Sequence, residues 1–130
     1  MYFWIILAGL IGYILFKFIQ SSSPKGFARE LAKAQLVSLR AFKNKNPEIK
    51  DATKQYQSAL STRPGYTEEM VDNIIKDARG ACKESRMKFN FQAVVIQLAA
   101  YEYMKRTGNS PPGVMNDLNL GVASIIPSDL

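Results

Sequence analysis

Histidine is absent from this 130-residue chain, and cysteine occurs once. Without imidazole there is no Ser-His-Asp or Cys-His catalytic set and no metal site built on histidine. The single cysteine, Cys82, closes no internal disulfide, which suits a reducing compartment. No glycine-rich phosphate-binding loop is present, and no stretch alternates apolar and polar residues as a strand does. The sequence therefore implies no catalytic residues, no cofactor, no metal and no small-molecule substrate, and the chain reads as a non-enzymatic protein.

Charge is the next shortage. From Met1 to Phe16 there is no charged side chain, and Lys17 alone interrupts before Phe18 and Ile19. About nineteen helical residues span about 28 Å, close to the thickness of a bilayer's hydrocarbon core. The run predicts a single transmembrane helix from Met1 to Ile19, within an anchor of residues 1–20. Tyr2 and Trp4 at one end, and Lys17 and Phe18 at the other, are the expected interface residues, the lysine reaching the headgroups. A cleaved signal peptide would carry a basic residue ahead of the apolar run, and none precedes it here. Within the span, Ala8, Gly9 and Gly12 form a small-residue face that would let a second membrane helix approach closely.

Basic residues crowd the flank that follows. Lys17, Lys25, Arg29, Lys33, Arg40, Lys43, Lys45, Lys50 and Lys54 meet only Glu30, Glu48 and Asp51, a balance that equals the whole net charge of +6. From residue 55 onward eight basic residues meet eight acidic ones. Positive flanks stay on the cytoplasmic side, so the N-terminus is expected outside and the domain in the cytoplasm. Lys25, Arg29, Lys33 and Arg40 form a candidate face for anionic lipid headgroups, each worth about 1 kcal/mol when close to the surface. The membrane accounts for the basic excess, and no base-stacking motif accompanies it, so nucleic acid is not an expected partner.

Beyond the anchor, residues 21–108 read as a helical domain and residues 109–130 as a Pro/Gly break with an irregular tail. Ser23-Pro24 supplies an N-cap and first helical position for a helix from about Pro24 to Lys43. Phe27, Leu31, Ala34, Ala41 and Phe42 are expected on its apolar side. Asn46-Pro47 repeats that grammar, predicting a helix from Pro47 to about Ser61 with Ile49, Ala52, Tyr56, Ala59 and Leu60 inward. Thr67 caps a third, with Glu68 and Glu69 in its first turn and Met70, Val71, Ile74, Ile75 and Ala78 inward, ending or weakening at Gly80. Asn90 caps the most apolar helix, Phe91 to about Arg106, the expected centre of the core, with Gly108 just past its end. The fold class is thus all-α: one membrane helix, then a cytoplasmic bundle of about four helices.

Ala52, Tyr56, Ala59, Leu60 and Pro64 have the spacing of the second helix of a tetratricopeptide repeat, which this stretch of about eighteen residues resembles. The resemblance implies a peptide-binding or scaffold role. Arg40 and Lys43 depart from the repeat's small and aromatic positions, and no second copy follows at its period. Glu68, Glu69, Asp72 and Asp77 read as N-terminal charge and a solvated helix face rather than a cation site. Together these features predict a membrane-tethered interaction module, an accessory subunit or adaptor whose partners are the membrane and other membrane-protein subunits. The alternatives are a membrane-associated enzyme subunit with a histidine-free site, or an anionic-lipid surface-binding protein.

Overall fold

The computed structural model describes residues 23–108 and 113–130. These form five α-helices and no strand: α1 (Pro24–Lys45), α2 (Ala52–Ser61), α3 (Glu68–Glu84), α4 (Phe91–Thr107) and α5 (Met115–Ala123). None of the described helices is long and apolar enough to cross a membrane. The predicted span, Met1 to Ile19, lies outside the described residues. So do its interface residues Tyr2, Trp4, Lys17 and Phe18 and its small-residue face Ala8, Gly9 and Gly12.

Side-chain caps set four of the five helix starts. The Ser23 hydroxyl accepts from the Gly26 N–H at 3.2 Å, Thr67 from Met70 at 3.2 Å and the Asn90 amide oxygen from Ala93 at 2.9 Å. Each such cap contributes about 1 kcal/mol by satisfying an N–H that the helix leaves orphaned. Helix α2 departs from expectation. Its cap is Asp51, whose Oδ1 accepts from the N–H groups of Thr53 and Lys54, so the helix opens at Ala52 rather than Pro47. Asn46 instead closes α1, its backbone N–H and its Nδ2 both donating to the Phe42 carbonyl. Gly80 does not end α3, which continues to Glu84.

Helices α1 and α4 share the centre. Helix α4 packs on α1, α3 and α5, while α1 packs on α2, α4 and α5. Phe27 near the start of α1 meets Tyr103 near the end of α4 edge-on at 5.8 Å. The buried face of α1 is Phe27, Ala28, Leu31, Ala32, Gln35 and Leu39. Ala34 and Ala41, expected on that side, are exposed, as is Ala52 on α2. Alanine is compatible with either face, and the i, i+4 ladder from Phe27 through Leu31, Gln35 and Leu39 rotates the stripe away from both.

The irregular tail is the main correction. Residues Met115–Ala123 form α5, and Leu118, Val122 and Ile126 are completely buried. Burying such side chains contributes about 1.5–3 kcal/mol each. Gly121 makes the docking possible. A Cβ there would stand closer to the Lys25 carbonyl oxygen than real Cβ atoms come, and only 2.8 Å from Ala28 Cβ. Beyond α5 the chain is tied back at two points: Gln92 Nε2 donates to the Ile126 carbonyl at 2.7 Å, and the Tyr56 hydroxyl donates to the Leu130 carbonyl at 2.9 Å.

Candidate functional site

The four residues of the expected lipid face all lie on α1, within about 80° of one another around its axis. Lys25, Lys33 and Arg40 are exposed and Arg29 is half-buried. At 1.5 Å per residue, Lys25 and Arg40 stand about 22 Å apart along the axis. Only Lys25 and Arg29 belong to the first two turns, and the backbone of both packs against Gly121 of α5. Lys33 pairs with Glu30 at 3.3 Å, a surface contact worth well under 1 kcal/mol.

A second polar cluster lies where the α2–α3 connection crosses the end of α4. The Tyr66 hydroxyl donates to Glu102 Oε1 at 3.0 Å, and Arg106 Nε stands 3.6 Å from Glu102 Oε2. The Arg63 guanidinium lies over the Tyr66 ring at 5.9 Å, and Arg106 lies over Phe27 at 5.8 Å. Glu102 is only 7% exposed. Burial pushes the Tyr66 phenol well above its ordinary range, and the Glu102 charge and hydrogen bond push the same way against Arg63 and Arg106. A phenol held protonated is a permanent donor to Glu102, so the cluster clamps the α2–α3 connection to α4. Sequence reasoning missed it, although one signal was available. Glu102 is the only acid in α4, and a buried carboxylate requires partners.

A neutral depression lies between α3, α4 and α5, bordered by Met87, Asn90, Gln92, Ala93, Ile96 and Met115. No charged residue lines it. Two of its amides already serve the fold. Asn90 caps α4 and donates to the Lys88 carbonyl at 3.0 Å, and Gln92 holds the tail. Ser85, Gln97 and Asn119 also line this groove, so the surface is mixed, with Met87 and Met115 as adaptable apolar contacts. Cys82 sits on the buried face of α3, 5% exposed, and acts as a packing residue. Among the described residues no three Cys, Asp or Glu side chains stand close enough to hold a metal ion. No protein family, no curated protein and no solved structure matches this chain.

Proposed function

We propose that the chain is a membrane-tethered helical interaction module, an accessory subunit or adaptor of a larger membrane-protein assembly. The carrying observation is the run from Met1 to Phe16, which holds no charge, ends at Lys17 and leads within a few residues into α1. Such a run has the length and flanks of a spanning helix. The basic residues after it favour a cytoplasmic bundle, and Ala8, Gly9 and Gly12 offer a contact face for another membrane helix. The neutral groove between α3, α4 and α5 adds a surface for a partner element.

On this reading Lys25, Arg29, Lys33 and Arg40 offer one basic side of α1 to anionic lipid headgroups. Gentle extraction of the tagged full chain from its native membrane, followed by native electrophoresis, tests the proposal. A species larger than the monomer, containing a second protein in fixed ratio, is expected. A monomer with nothing bound overturns it.

A further inference from the structure

The evenly charged second half of the sequence is not evenly charged in space. Residues 68–77 carry Glu68, Glu69, Asp72 and Asp77 against Lys76 alone, and residues 79–88 carry Arg79, Lys83, Arg86 and Lys88 against Glu84 alone. Helix α3 therefore separates an acidic start from a basic end. Helix α2 lies antiparallel to it: Gln57 bonds Asp72, and Arg79 Nη2 donates to Thr53 Oγ1 at 2.8 Å. That packing brings the basic end of α3 to Thr53, which stands between Lys50 and Lys54 in the chain. An open groove of about 410 Å³ lies there, lined by Thr53, Arg79, Cys82, Lys83, Met87 and Phe89.

Among the described residues these cations have no acidic partner: no carboxylate lies within ion-pair distance of Lys50, Lys54, Arg79, Lys83, Arg86 or Lys88. Asp51, close by in sequence, already accepts from the backbone at the start of α2. Arg86 adds an independent mark. It terminates α3 in the left-handed conformation, φ 55°, at the position where glycine is the usual residue. Its N–H donates to the Lys83 carbonyl and that of Met87 to the Cys82 carbonyl, which completes the glycine-type helix stop with a cation in its place. Met87, next to it, is 48% exposed.

We propose that this groove binds an acidic segment of a partner protein, with carboxylates on Arg79 and Lys83 in its wall and on Arg86 and Lys88 of the adjoining loop, and an apolar side chain against Met87. Charge complementarity selects the polyanion, and the shape of the groove selects its class. The Phe89 ring is no stacking platform for bases: the Arg79 guanidinium lies over it at 5.4 Å and Tyr56 packs against it at 5.7 Å. A bilayer fits no better. Phe89 and Phe91 meet Tyr56 at the start of α4, whereas the first residues of α1 meet Tyr103 near its end, about 18 Å further along that helix. A tether joined to the start of α1 enters the bundle at the opposite end of α4 from the groove. This placement rests on the tethered reading; the chemistry of the groove does not.

The test uses the full chain in zwitterionic nanodiscs and a short fluorescent peptide of alternating glutamate and phenylalanine. Saturable binding that weakens with added salt is expected. The Arg79→Gln/Lys83→Gln variant should lose about tenfold or more in affinity, the scale of one or two charge-assisted contacts. An Arg86→Gln/Lys88→Gln variant, altered only at the loop, should show the same direction, while Lys25→Gln/Arg29→Gln should bind as the parent does. Absence of saturable binding, equal loss in all three variants, or tighter binding of charge-matched oligothymidylate or phosphatidylserine vesicles overturns the proposal. A chain that binds the peptide but washes off native membranes would keep the groove and remove the tether.

Discussion

Replacing Gly121 by alanine adds one methyl group at the closest approach of α5 to α1. The new Cβ would come within 3.0 Å of the Lys25 carbonyl oxygen, 2.8 Å of Ala28 Cβ and 3.2 Å of the Arg29 nitrogen. Two of those atoms belong to the backbone of a hydrogen-bonded helix, so no rotamer change relieves the overlap. Helix α5 must instead move outward, and Leu118, Val122 and Ile126 move with it. Overpacking of this kind costs about 1–3 kcal/mol, and a rigid obstacle places this case in the upper half of that range. Alanine recovers about 1 kcal/mol of helix propensity relative to glycine. The net loss is about 1–2 kcal/mol, or about 5–10 °C in Tm for a domain of this size. Thermal unfolding of the full chain in mild detergent, followed by far-ultraviolet circular dichroism, measures it. Gly80→Ala is the internal control, because a Cβ there meets nothing within 4 Å inside α3, and it should stabilise by about 0.5–1 kcal/mol. The same chemical change should thus act with opposite signs at the two sites. A Gly121→Ala protein melting at or above the parent would refute the docking of α5 against α1.

Truncating Leu118 to alanine should cost about 2–5 kcal/mol in denaturant melts, since its side chain is wholly buried; a cost below 1 kcal/mol would mean that α5 is not part of the core. Arg86→Gly should raise stability by about 0.5–1 kcal/mol, because glycine adopts φ 55° without steric cost, while weakening binding of the acidic peptide. The raised Tyr66 phenol predicts alkaline sensitivity. Its folded form holds the proton more tightly than the unfolded chain, whose phenol titrates near 10.0, so the associated stability is intact below that pH and lost as the pH climbs through the folded value. Tyr66→Phe should flatten that alkaline slope in pH-dependent melts and lower stability at neutral pH by about 1–2 kcal/mol through loss of the bond to Glu102. An unchanged slope would contradict the clamp.

The parts of the fold legible in the sequence are those written in local chemistry. Ser23-Pro24, Thr67 and Asn90 open helices because their side chains bond the first free N–H groups. Gly108 closes α4 at φ 70°, in the left-handed conformation that favours glycine. Asn46-Pro47 misleads because an asparagine can close one helix as readily as open the next, and only the Asp51 contacts show which occurs. Helix α5 was illegible for a related reason. It has nine residues and no side-chain cap at Val114, and its Gly121 carries a propensity penalty. Its support is tertiary, from contacts with α1 and α4 that no local pattern announces. The acidic and basic halves of α3 were visible as letters, but their meaning depends on α2 lying antiparallel alongside. Gln35 is the converse case: a polar side chain at 1% exposure, which a polarity pattern assigns to the surface.

The tether is the claim on which the functional account turns, and one measurement addresses it directly. A reporter active only in the cytoplasm, fused after Leu130, would be expressed with the full chain, and its activity followed through alkaline carbonate washing of the membranes. A tethered, cytoplasmic domain gives an active reporter that stays in the washed membrane pellet. A reporter released into the wash, or a stably expressed fusion that is silent, would contradict it.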